Sequence, residues 1–415
     1  MRIFFNRAIY LSLGLLFLYS FPLLSQNNNI NIKFIDSYFE NASPVTWAIQ
    51  GDTIVKISLI PDYERETLNR QTDHWNFKIE APKGTTIKFI LSKQEADIYN
   101  GRQAKNWWNF EHGISCYVSY DQKSWTPIHI SKLSGHELLV EMTIEENFVY
   151  VANIPPYTLS DLENLKQRIE SNHRIKIITI GETVEKRPLE IIRLGNPKAQ
   201  HSILIRARAH PWEPGGNWVI EGLINKFLEE NSKKWLEAFC IYIMPMANKD
   251  GVVRGMTRFN VRGKDLNRNW DVMADTLLCP EKYALEKFIE ELIKTGKKPC
   301  FAIDIHNDDY GKIHAAHCSK GDKVYLDKLH LFESLMREHT SFSEGVKYSW
   351  ETKNSLIPAS TFQNGLSQRY GIDAIVYELN ANWIASLGKV PEAKDWMEIG
   401  ANLNQVFYEF ANQLK

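Results

Sequence analysis

Cysteine is sparse in this chain and follows no pattern. The five cysteines, at positions 116, 240, 279, 300 and 318, are odd in number and include no CxxC pair. That excludes a disulfide-dense scaffold and gives no support to a cysteine zinc site. Buried free thiols are expected, with one bridge conceivable but not assignable. An excess of one charge is also missing. The net charge of −1 points to neither nucleic acid nor an anionic membrane surface as a partner. No internal repeat and no low-complexity tract is visible. What remains is ordinary globular material: 44% hydrophobic and 24% charged residues, enough for a substantial core, over a length that suggests two or three domains.

One apolar run stands apart. Arg2 and Arg7 precede Ala8 to Leu24, then come Ser25 and the polar stretch Gln26 to Asn29. This order is that of a secretory signal, here residues 1–25. The run lies near the lower limit for a spanning helix. Cleavage is expected to leave an exported, periplasmic or secreted protein without a stable membrane anchor. No cysteine follows the run to carry a lipid.

Residues 27–155 read as a β-sandwich domain. Thr53 to Ile60, Trp75 to Glu80, Thr85 to Leu91, Gly113 to Tyr120, Glu137 to Thr143 and Phe148 to Ala152 are short runs rich in β-branched and aromatic residues, many of them separated by turn residues. Trp75, Trp107, Trp108 and Trp125 read as core aromatics, with a sugar- or peptide-binding face as the alternative. Ile154-Pro-Pro-Tyr157 punctuates the chain, and Ser160 with Glu163 reads as a capping box. Over residues 156–415 strands at 175–180, 190–194, 202–206, 241–245, 301–305 and 374–379 alternate with helical periods, which predicts an α/β sheet domain.

The chemistry-bearing residues sit at the ends of those strands. Ala209-His-Pro-Trp-Glu-Pro-Gly-Gly216 follows one strand and opens a helix. His210 and Glu213 are three apart, and both side chains suit zinc. An HxxE pair alone is weak evidence, but loops at strand ends are where α/β sheets place ligands. His306, ending Phe301-Ala-Ile-Asp-Ile305, is the best third ligand; His314 and His317 read as loop residues. The stretch from Arg258 to Trp270 sets Asn267 beside Arg268, and an arginine fork grips a carboxylate such as a peptide C-terminus. Glu378, an acid within the apolar run Ala374 to Leu379, needs a partner or a role, and general base is the role that suits it.

Taken in order, HPWE, MANKDGV, DLNRNW, the strand ending in DIH, and VYE resemble the M14 zinc carboxypeptidases over roughly residues 160 to 415. The N-terminal β-region and the IPPYTLSDL junction look most like the cytosolic-carboxypeptidase-like subfamily and its bacterial relatives. The resemblance implies a mixed-sheet zinc carboxypeptidase domain with helices on both faces. It implies one zinc ion held by His210, Glu213 and His306. Asn267 and Arg268 would anchor the C-terminal carboxylate of a peptide or protein substrate, and Arg258 would polarise the scissile carbonyl. Glu378 would be the catalytic glutamate, deprotonating a zinc-activated water, and Asp265 would support the first zinc histidine. One departure is the mobile tyrosine of pancreatic-type enzymes: Ser355 to Phe362 contains none, and Tyr348 and Tyr370 do not align well.

Other readings predict other substrates. A zinc-dependent deacylase would cut N-acyl amino acids, and a peptidoglycan hydrolase would cut stem peptides. A non-catalytic secreted binding protein would hold no functional metal.

Overall fold

The computed structural model describes residues 32–50, 54–65, 68–99, 101–104, 115–134, 136–229, 233–318, 321–350 and 361–414. The signal segment, Trp107, Trp108 and the stretch 355–360 lie outside the described residues.

The N-terminal region forms two five-stranded sheets. One orders Phe34–Asp36, Asn76–Glu80, Phe148–Ala152, Ser115–Ser119 and Thr126–His129; the other orders Ser131–Lys132, Glu137–Thr143, Thr86–Lys93, Ile54–Leu59 and Val45–Gln50. Alternation makes each sheet one-sided. In Ile54–Leu59, Val55, Ile57 and Leu59 are buried while their neighbours are half-buried. Such faces close on a shared core with Phe77, Phe89, Leu138 and Val151. Trp75 belongs to that core, whereas Trp125 sits partly exposed beyond a turn, so the two form no common face.

The second core is built on an eight-stranded mixed sheet. Its order is Ile175–Glu182, Pro188–Gly195, Phe239–Met244, His201–Ala207, Phe301–Asp308, Ala374–Asn380, Ile313–Cys318 and Val346–Trp350. The four strands Phe239–Met244, His201–Ala207, Phe301–Asp308 and Ala374–Asn380 run parallel, and antiparallel pairings flank them. Buried on both faces, the central strands are nearly continuous apolar runs. Helices Gly215–Phe227, Lys323–His339 and Ala393–Gln413 cover one face, while Pro280–Lys294 and Phe362–Tyr370 cover the other. The fold is thus the expected α/β mixed sheet behind a β-rich region.

Two local readings change. The first helix of this part, Leu159–Ile169, is capped by Thr158, whose side chain accepts from Asp161, not by Ser160 with Glu163. Thr158 keeps extended backbone (φ −94°, ψ 172°), as an N-cap requires, so the capping box closes two residues earlier. His314 and His317 lie not in a loop but on strand Ile313–Cys318, held by antiparallel pairing to Ala374–Asn380 and parallel pairing to Val346–Trp350. All five cysteines are free thiols.

The β-region docks on the segment that follows Met244 and on the approach to helix Ala393–Gln413. Asn41 N–H and side chain donate to Val253 and Val252 carbonyls at 3.1 and 2.9 Å, Arg65 N–H donates to Gly263, and Tyr117 donates to Pro391. This seam forms one wall of a deep cleft at the C-terminal ends of the parallel strands.

Candidate metal centre and cleft

His210 and Glu213 lie in the turn between strand His201–Ala207 and helix Gly215–Phe227. The turn is braced from within. Arg208 takes φ +60°, and its buried guanidinium donates to Pro211 O at 2.8 Å and Asn217 Oδ1 at 3.1 Å. Such a left-handed non-glycine residue is held only where surroundings compensate the strain. Gly215 then lets the helix start press on the next strand: its N–H donates to Asn307 Oδ1 at 2.9 Å, and a Cβ there would lie 2.7 Å from the Asn307 amide.

Strand register delivers the other two groups. Phe301–Asp308 carries His306 beside the His210 turn, and Ala374–Asn380 pairs with it in parallel, with His306 opposite Glu378. Aligned partners on parallel strands face the same side of the sheet. Adjacent strand ends therefore bring an imidazole and a carboxylate into one cleft.

The three donors converge. His210 Nδ1 lies 2.8 Å from Glu213 Oε1, His306 Nδ1 lies 2.7 Å from Glu213 Oε2, and the two Nδ1 atoms are 3.2 Å apart. All three residues are buried. The outer ring nitrogens have their own acceptors: His210 Nε2 meets Asp265 Oδ1 at 3.0 Å, and His306 Nε2 meets Asp304 Oδ2 at 2.7 Å. Asp304 escaped the sequence reading, although it stands two residues before His306. Burial alone would raise Glu213, but the two imidazoles override it and pull its carboxyl down to about 2.

The surrounding groups line a cleft of about 640 Å³. Arg258, Asn267, Arg268 and Glu378 all face it, as do Gln71, Asp73 and Tyr99 from the β-region. Arg258 donates through Nε and Nη2 to Asp265 Oδ2 at 2.9 and 2.8 Å, so Asp265 links this arginine to His210. Asn267 Nδ2 lies 3.3 Å from His306 Nε2, and its Oδ1 accepts from Phe362 N–H. Arg268 is half-buried, with Nη1 donating to Asn267 O. Burial and then the neighbouring Asp308 raise Glu378 well above the usual carboxylate range. Asp309 keeps an exposed side chain at the cleft, yet partial desolvation and the charges of Asp73 and Asp308 raise it to about 8. His314 reaches the same cleft, its ligand atom within 4.8 Å of Asp308 and Glu378. Two tyrosines, Tyr99 and Tyr310, stand in the wall; both fall outside the segment searched for a capping tyrosine.

Residues 159–295 match the family model for zinc carboxypeptidase, Peptidase_M14. Over that third of its length the chain is similar to the zinc carboxypeptidases. The matched stretch holds His210, Glu213, Arg258, Asp265, Asn267 and Arg268; His306 and Glu378 lie beyond it. An uncharacterized protein of Zymomonas mobilis is 24% identical over 237 residues, 56% of this chain and 58% of that protein. Cytosolic carboxypeptidase 4 of Mus musculus is 25% identical over 260 residues, 60% of this chain and 22% of the mouse protein. The chain therefore spans little more than half of the first relative and about a fifth of the second. Two solved structures share the fold. The metallo-carboxypeptidase of Burkholderia cenocepacia has a TM-score of 0.78 at 17% identity, covering 92% of this chain and 99% of its own. That of Pseudomonas aeruginosa, in complex with (2-guanidinoethylmercapto)succinic acid, has a TM-score of 0.75 at 20% identity, covering 92% and 100%.

Proposed function

We propose that this chain is a zinc-dependent metallocarboxypeptidase that hydrolyses C-terminal amino acids from peptides. The observation that carries the reading is the convergence of two imidazole nitrogens and one carboxylate beside Glu378. With both Nε2–H groups committed to Asp265 and Asp304, the Nδ1 lone pairs point at each other and at Glu213. That arrangement repels itself unless a cation or protons lie between. Two nitrogens and one carboxylate are a donor set that catalytic zinc accepts, with a position left open. His210, Glu213 and His306 would hold one ion. Bound there, zinc supplies polarisation of a carbonyl and acidification of a water toward a pKa of about 7.

The remaining groups have distinct tasks. Glu378 takes a proton from the attacking water and returns it to the leaving amine. Arg258 presents N–H donors to the developing oxyanion. Arg268 offers its planar fork, and Asn267 its amide, to the terminal carboxylate of the substrate. Asp265 fixes the His210 ring and the Arg258 guanidinium together, so ligand and oxyanion donor keep one mutual position. The export reading of residues 1–25 sets the place of action in the periplasm or outside the cell.

Incubation of the full chain with a peptide library, followed by mass spectrometry, tests the activity. Release of single C-terminal residues is expected, with about one zinc per chain by elemental analysis. Cleavage of N-acyl amino acids with no trimming of peptides would turn the reading to a deacylase. No hydrolysis by zinc-replete protein would end the enzymatic reading.

A further inference from the structure

The loop that presents Arg258 is held from outside the sheet domain. Asp62, in the β-region, accepts the backbone N–H groups of three successive residues. Thr257 donates to both its oxygens at 2.9 and 3.1 Å, Arg258 at 2.6 Å and Phe259 at 3.1 Å. The Arg258 guanidinium is then held along two edges. Nε and Nη2 meet a single oxygen of Asp265. Nη1, at the other edge, donates to Gln71 Oε1 at 2.7 Å. Gln71 and Tyr99 both line the cleft.

Two bonds to one oxygen leave a planar group free to swing about that oxygen. A third contact on the opposite nitrogen removes the swing. Gln71 supplies it from 187 residues away in sequence. Donors aimed at a developing charge act through their fixed position, and a donor that must reorient at the moment of reaction loses that advantage.

We infer that Gln71 is a positioning residue for catalysis: the β-region uses it, above the Asp62 clamp, to hold Arg258 in the orientation that stabilises the oxyanion. This rests on the reading of Arg258 as the group facing the substrate carbonyl. On this account the β-region completes the active site, and Gln71 acts through the arginine without touching the reacting atoms.

Gln71 is half-buried at the cleft, so its replacement should spare the fold. The full-length Gln71→Met chain keeps the length of the side chain and loses the acceptor. Its kcat should fall by roughly 10-fold or more, with KM changed by less than about 2-fold, since the lost interaction belongs to the transition state. Thermal unfolding should be unmoved. Gln71→Glu keeps an acceptor and should recover most of kcat, which a purely structural role would not predict. Arg258→Ala is the reference. If it abolishes kcat while Gln71→Met leaves kcat intact, or if Gln71→Met raises KM alone, the positioning role is overturned. If Arg258→Ala itself keeps wild-type kcat, the reading of Arg258 falls, and the inference with it.

Discussion

Arg206 and Asp304 face each other as register partners on neighbouring parallel strands, both almost fully buried. Arg206 Nε donates to Asp304 Oδ1 at 2.7 Å, and Nη2 pairs with Oδ2. The guanidinium lies between aromatic rings, 5.0 Å from the Trp270 centroid and 4.3 Å from that of Phe362. Burial alone would raise Asp304, but the charges of Arg206 and His306 hold its carboxyl well below the usual range. An ionised acceptor therefore always stands behind the His306 ring. The pair connects the packing of the sheet to the orientation of one metal donor.

Asp304→Asn should weaken this support in two measurable ways. An amide cannot accept from His306 and from both arginine nitrogens, so zinc affinity should fall by roughly 10- to 100-fold in a chelator competition. The metal-free protein should also lose about 3–5 kcal/mol in urea unfolding, because Arg206 stays buried with its charge uncompensated. Unchanged zinc affinity would show that Asp304 does not hold the ring.

Glu378 stands opposite His306 yet is not one of the three converging donors. Glu378→Gln keeps its shape and removes its ability to carry a proton. The variant should retain about one zinc per chain while kcat falls by roughly 100- to 10,000-fold, the range of a lost general base. Substantial turnover in zinc-replete protein would remove Glu378 from the mechanism.

How much of this was legible beforehand follows from the range of each interaction. Strands Phe301–Asp308 and Ala374–Asn380 announced themselves because strands buried on both faces are written as continuous apolar runs. His210 and Glu213 could be singled out because their spacing is local and they stand at a strand end. Strand Ile313–Cys318 was missed because His-Ala-Ala-His carries no β-branched or alternating signal; its extended form comes from its neighbours. The supporting partners were missed for a related reason. Arg206 meets Asp304 across 98 residues, Arg258 meets Gln71 across 187, and Asp62 meets Thr257 across 195. No periodicity encodes such pairs, which appear only once the register and the seam exist.

The seam should also make stability depend on pH. His74 Nε2–H donates to Asn41 O at 2.9 Å, while Nδ1 is buried with no hydrogen-bond partner among the described residues. Burial, aided by the nearby Arg208 charge, lowers its pKa from 6.5 to about 4. Between those values the unfolded chain takes up a proton that the folded chain refuses. The stabilisation is thus complete above pH 6.5 and is lost as pH falls toward 4, by roughly 3 kcal/mol. In His74→Gln the slope of unfolding free energy over that window should drop by about one proton. Identical slopes would mean that His74 protonates equally in both states.

Two glycines with similar backbone allow the docking itself to be tested. Gly255 has φ +62° and Gly296 has φ +70°, so alanine costs both about 1–2 kcal/mol for the left-handed conformation. Their surroundings differ. A Cβ on Gly255 would lie 2.0 Å from the Ala42 carbonyl oxygen, in the backbone of the β-region, whereas nothing lies within 4 Å of one on Gly296. Backbone on both sides of that contact cannot yield without separating the seam at Asn41 and Val253. Gly296→Ala should therefore show only the conformational cost in urea unfolding. Gly255→Ala should exceed it by roughly 1–3 kcal/mol. It should also lower kcat, since Thr257 and Arg258 follow two and three residues on and lose their fit against Asp62. Equal losses in the two variants would show that the contact between Ala42 and Gly255 adds nothing beyond the backbone conformation.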